Sequence, residues 1–186
     1  MSLELIVPPA EEPVSLADMK AHLRVAHADD DAAIAMYAKA ARRAVESRGG
    51  LALLAQGYRL TLDRLGEAPI LLPKAPVTSV DAVEVVSRNG TAELVDPGLY
   101  ETETGPAGRL AIRAALPASF RRIGCIRIEF SAGWTDAASV PEELKLAVMM
   151  LAAHFYENRE GAQAERVFAT PQAVDALIAP YRQVRL

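Results

Sequence analysis

The sequence predicts an α+β fold: a small helical bundle with an inserted antiparallel β unit and a C-terminal helical arm. Three observations predict it. Apolar residues recur at helical spacing up to Gly49-Gly50 and again after Pro141. Between these stretches, from Tyr58 to Trp134, the period falls to two. The hairpin and turn signals Asn89-Gly90 and Asp96-Pro97-Gly98 also lie in that middle stretch. The expected organisation is an extended N-terminal arm at 1–14, a helical core from 15–57 and 135–165, an inserted β domain at 58–134, and a docking arm at 166–186.

Each element has a local reason. Pro8, Pro9 and Pro13 stand among acidic residues and favour an extended arm over a packed element. Ser15 suits a helix N-cap, Asp18 suits the positive first turn, and Leu16, Met19 and Leu23 share one face. Asp29-Asp30-Asp31 opens a second helix, with Ile34, Ala38, Ala41 and Val45 on one stripe and Lys39, Arg42 and Arg43 on the side expected to be wetter. Gly49-Gly50 ends it as a glycine cap.

In the β stretch, Tyr58, Leu60 and Leu62 alternate with Arg59, Thr61 and Asp63, and Ile126, Ile128 and Phe130 alternate with Arg127 and Glu129. Val83-Glu84-Val85 and Leu110 to Arg113 are further candidate strands. Pro141 opens a third helix, with Glu142 and Glu143 in its first turn and Leu144, Val148, Leu151 and Phe155 on its inner side. Its other side, Leu146, Met149, Met150 and Ala153, is also apolar. The helix is therefore either fully buried or covered on that side by another subunit. Thr170-Pro171 starts a short last helix carrying Val174, Leu177 and Ile178, which Pro180 ends.

Composition narrows the function. The 186 residues, 51% of them hydrophobic, suffice for a sizeable core. A formal net charge of -4 argues against tight binding to a nucleic-acid backbone, whose counterions only a basic surface releases. Cys125 is the one cysteine, so no intramolecular disulfide forms, and its surroundings suggest a buried strand thiol. The first residues lack a basic and then apolar leader, and the run Leu146 to Phe155 is too short to span a bilayer, so a reducing cytoplasm is expected and no membrane association.

Candidate sites are few. His22, His27 and His154 stand without a second ligand at zinc spacing, so no metal is expected. The aspartate triplet lacks the glycine and distal glutamate of a calcium loop and reads as a helix start. Gly105-Pro106-Ala107-Gly108 precedes a strand, so it cannot set phosphate on a helix N-terminus. Ser131-Ala132-Gly133-Trp134 lacks a nucleophile elbow. Arg42-Arg43 and Arg121-Arg122 lack interleaved aromatics and read as solvated faces or turns. Tyr156-Glu157-Asn158-Arg159-Glu160 is either a solvated helix end or a partner contact. No catalytic residue and no cofactor follows from any of these.

Particular stretches resemble the head-tail connector, or adaptor, family of tailed phages and gene transfer agents. They are Val14 through Val25, Asp31 through Ala41 leading to Val45-Glu46, Ser131 through Trp134 before Val140-Pro141, and above all Leu144 through Glu160. Pro171 to Val174 with Leu177, Pro180, Tyr181 and Arg182 resembles the family's ending. The resemblance implies a virion protein: a ring, typically of twelve copies, between the portal protein and the next tail or head-completion protein, through which DNA passes without specific binding. It also implies head-to-tail subunit contacts, for which Met149, Met150, Tyr156 and Arg159 are the candidates. Portal docking falls to Val174, Leu177, Ile178, Tyr181 and Arg182, an apolar stripe with an aromatic and an arginine. A subunit that stays monomeric until a portal templates it, with an arm that orders on docking, fits this picture. The competing classes are a binding module of the virion or tail that uses the β unit, which would show a flat apolar sheet patch, and an enzyme, which would show a pocket joining His154 with Glu157.

Overall fold

The computed structural model describes residues 1–64, 68–113, 123–158 and 172–182. The chain divides into two compact units: Met1–Pro9 with Ala55–Gly133, and Ala10–Leu54 with Trp134–Leu186. Thr170-Pro171, Arg121-Arg122 and Arg159 lie outside the described residues.

The first unit is antiparallel β. Strands β1 (Ser2–Val7), β2 (Gln56–Leu62), β4 (Val77–Val86), β5 (Ala92–Leu94) and β8 (Ile126–Ala132) form a five-stranded sheet in the order β1-β2-β8-β4-β5. Strands β3 (Ile70–Leu71), β6 (Tyr100–Glu103) and β7 (Arg109–Ile112) form a second sheet in the order β3-β7-β6. The period-two pattern sets the register: Tyr58 faces Phe130, Leu60 faces Ile128 and Leu62 faces Ile126, so one face gathers the apolar row. Tyr58 and Phe130 stack at 5.6 Å, and Leu72 and Leu110 are fully buried in the same unit. The hairpin at Asn89-Gly90 joins β4 to β5 with Gly90 at φ 91°, and the Asp96 carboxylate accepts the Gly98 N–H at 2.7 Å in the second turn. Cys125 is buried immediately before β8.

The N-terminal reading needs correction. Residues 2–7 are an edge strand: Leu3 pairs with Leu60 and Leu5 with Tyr58, and a register shift precedes Val7. The prolines at 8 and 9 end this strand and do not prevent it, because an edge needs pairing on one side only.

The second unit is helical: α1 (Leu16–Leu23), α2 (Asp31–Gly49), α3 (Glu142–Glu157) and α4 (Gln172–Ile178). Ser15 Oγ accepts the Asp18 N–H at 3.1 Å, capping α1. Gly50, at φ 65°, closes α2 by donating its N–H to the Glu46 carbonyl. Gly49 is needed for packing, since a Cβ there would lie 2.7 Å from Leu51 Cδ1 and 3.0 Å from Ile178 Cγ2. The core joins Ile34, Ala38, Ala41 and Val45 of α2 to Leu144, Ala147, Val148 and Leu151 of α3, with Val174 and Ile178 of α4 fully buried.

Candidate functional site

The helical unit carries the features that sequence reasoning singled out, and several take unexpected positions. Arg42 is not on the wet side of α2. Its side chain is 3% exposed and lies between two carboxylates: Nε donates to Glu12 Oε2 at 2.6 Å and Nη1 to Glu46 Oε2 at 2.9 Å. Glu46 Oε1 also accepts the Leu53 N–H at 3.0 Å. Burial works against the Arg42 charge, but hydrogen bonding and attraction from Glu12 and Glu46 outweigh it and hold its pKa above the ordinary guanidinium value. The network ties the segment before α1, helix α2 and the chain after α2 into one polar knot. The sequence held a signal for it, since Arg42 and Glu46 are spaced i,i+4, but Glu12 lies thirty residues away.

The predicted subunit-contact residues divide. Met149 and Met150 are half-buried on the outer side of α3, and Leu146 beside them is 39% exposed. Tyr156 instead turns into its own unit, where its hydroxyl donates to Asp30 Oδ2 at 2.6 Å and its ring meets Tyr37 edge-on at 6.4 Å. It thereby fastens the end of α3 to the start of α2. His154 Nδ1 lies 3.3 Å from Asn158 Nδ2, while Glu157 is exposed.

The predicted docking residues divide as well. Val174 and Ile178 are fully buried, so their stripe fills the core of the helical unit. Leu177 and Tyr181 are half-buried and Arg182 is exposed. The Tyr181 hydroxyl donates to Glu143 Oε2 at 3.1 Å, and burial followed by this bond pushes its phenol pKa up. Arg182 Nη2 donates to Asp175 Oδ1 at 2.9 Å, with Arg48 3.8 Å from the same oxygen. The amphipathic pattern predicted a buried stripe correctly but could not say which surface would bury it.

An open groove of about 630 Å³ runs between the segment before α1, α1 itself and α3, where Glu11, Asp18 and Glu142 rim a floor that includes Met149 and Val14. On α2, Met36 is 60% exposed, and Lys39 and Arg43 are exposed and lack an ion-pair partner among the described residues. The β unit carries ion pairs on both sheets: in the five-stranded one Arg59 Nη2 donates to Glu129 Oε1 at 2.6 Å and Arg59 Nη1 lies 3.7 Å from Glu4 Oε2, and in the three-stranded one Glu103 pairs with Arg109. Among the described residues, no group of three or more His, Cys, Asp or Glu could hold a metal ion, and no helix is long and apolar enough to cross a membrane.

Comparison with known proteins places this geometry. The family model described as "Head completion protein" matches residues 12–184. A chain in a structure of the virion of a native gene transfer agent particle is 31% identical, with a TM-score of 0.82 and coverage of 100% of this chain and 97% of that one. Chains from the neck of the empty particle, computed with C6 symmetry, and of the native particle, computed with C12 symmetry, match at the same identity and coverage with TM-scores of 0.79 and 0.77. No curated relative matches.

Proposed function

The chain belongs to the head completion protein family, and from that membership we propose that it is a structural subunit of the head-tail junction, part of a connector ring that joins the portal of a DNA-filled capsid to the tail. The observation that carries this reading is full-length likeness to chains of a gene transfer agent neck, with both units of the fold included in the match. Family and likeness together put the protein in the particle, at the junction. The symmetry of the similar neck structures supports a ring of twelve copies. DNA passes through such a ring without specific contacts, and a net charge of -4 suits a surface that lets a polyanion slide. The subunit does its work by binding and not by chemistry.

The portal lies on one side and the next tail or head-completion protein on the other. Leu177, Tyr181 and Arg182 meet the portal from a helix that Val174 and Ile178 seat, and Met149 and Met150 meet a neighbouring copy, with Arg159 as a further contact. The test is mass determination of the purified chain with and without its cognate portal, comparing the natural sequence with Leu177→Glu/Arg182→Glu, which leaves Val174 and Ile178 in place. A ring-sized complex that the double substitution weakens at least about tenfold supports the reading. Absence of any complex by the natural chain overturns it.

A further inference from the structure

Helices α2 and α3 turn their apolar stripes toward the shared core, so their outer faces point in opposite directions. The two outer faces differ in character. That of α3 is apolar, with Leu146 39% exposed and Met149 and Met150 half-buried, and along one flank it borders the groove rimmed by Glu11, Asp18 and Glu142, where Lys145 pairs with Glu142 at 2.8 Å and leaves the rim with an excess of carboxylates. That of α2 presents Met36, 60% exposed, among small exposed alanines, together with Lys39 and Arg43. Those two cations have no ion-pair partner among the described residues, whereas Arg42 beside them is fully paired. One face offers a methionine knob with two cations unpaired among the described residues; the opposite face offers an apolar surface and a rim in which carboxylates outnumber its one lysine. Surfaces that are complementary and lie on opposite sides of a subunit join copies head to tail and cannot satisfy one another within a single copy.

We propose that the outer face of α2 docks on the outer face of α3 in the next copy of this chain, with Met36 against Leu146 and Met149 and with Lys39 and Arg43 on the acidic rim. The inference rests on the connector reading and adds the matching surface, which the sequence did not single out as an interface. The alanines at 32 and 40 let the helix backbone approach closely.

The experiment uses the full chain with its cognate portal and two charge reversals, Lys39→Glu/Arg43→Glu and Glu11→Lys/Glu142→Lys, each checked for helix content. Each variant alone is expected to lose ring assembly by at least about tenfold, because like charges then face one another at every contact. An equimolar mixture is expected to restore rings, since reversed and natural faces alternate. As a second measurement, Met36→Cys and Leu146→Cys in separate copies should form a disulfide between chains under mild oxidation, with Cys125 buried and inert. Rings that survive both reversals, or a mixture that restores nothing while the cysteine pair stays uncoupled, overturn the proposed contact and leave the connector reading standing. No ring from the natural chain overturns the connector reading, and this contact with it.

Discussion

Arg42 shows what a buried ion network costs and holds. Its guanidinium is shielded from water between Glu12 and Glu46, and taking a charge out of water is costly unless partners take over its solvation. Arg42→Met keeps much of the volume but leaves Glu46, whose side chain is 6% exposed, without its cation; we expect a loss of about 3–5 kcal/mol in denaturant unfolding. A loss under about 1 kcal/mol would mean that the network is weakly coupled to folding. Asp136 is the opposite case, an exposed carboxylate in the turn before α3. The Ser139 hydroxyl and N–H both donate to its Oδ1 at 2.8 Å, and these bonds hold its pKa below the ordinary aspartate value. A depressed folded-state pKa stabilises above the unfolded value, and the contribution fades as pH falls through the folded one. The carboxyl resonance of Asp136 should therefore titrate below that of an aspartate peptide, and Asp136→Asn should flatten the acid side of the stability profile. A midpoint at or above the peptide value would remove this account. At this scale the sequence was least legible. Arg42 carries the same formal charge as Arg43, and of the two carboxylates that hold Arg42 buried only Glu46, at i,i+4, is near it in sequence, while Glu12 is distant.

Elements were legible where their ends carry local chemistry. Ser15, Gly49-Gly50 and Pro141 mark helix boundaries through caps that involve neighbours in sequence, and Asn89-Gly90 marks a turn for the same reason. Strand β1 was not legible, because its existence depends on pairing with β2, more than fifty residues away, and three prolines near it point to irregular chain. The buried run Leu51 to Leu54 had no periodic role to announce it; it is packed because Glu46 holds the Leu53 N–H and Gly49 leaves room for Leu51. Gly108 is a similar close approach: a Cβ on it would fall inside the Val77 side chain, close to that residue's own Cβ. Gly108→Ala should destabilise the β unit by about 1–3 kcal/mol through overpacking, read as a lowered unfolding midpoint in a chain whose helix content is unchanged. An unchanged midpoint would mean that Val77 moves aside freely.

At the scale of the molecule, the order of elements and the Leu144 to Glu160 stretch pointed to the family, and the match over residues 12–184 bears that out. Of the residues expected to join copies, only some lie at the surface of the helical unit. The sequence pattern marked Met149 and Met150 as surplus apolar residues, but it placed Tyr156 outside, where the structure uses it to bind Asp30. The family resemblance gave Val174, Leu177, Ile178, Tyr181 and Arg182 to the portal, whereas Val174 and Ile178 are buried in the helical unit. A periodic stripe says that a face is covered and is silent about the cover. If copies join through Lys39 and Arg43, assembly should weaken as salt is raised through the range in which the screening length falls below about 10 Å. Light scattering across a salt series would check this, and insensitivity to salt would count against a charged contact.

Most of the β unit, Ala55–Gly133, is an insertion whose two ends meet, while its edge strand β1 comes from Met1–Pro9, before the helices in sequence. The chain passes from the helical unit after Leu54 and returns at Trp134, and between those points Gln56 and Ala132 stand opposite each other in adjacent strands. The helices therefore see the whole excursion as a short stem, whatever its length. Such an arrangement lets lineages resize the loops of the excursion while the helices keep their own selection pressures, provided that β2 still matches β1. Sequence divergence should accordingly run at two separate rates along one gene, with breaks at the stem and a further one after β1.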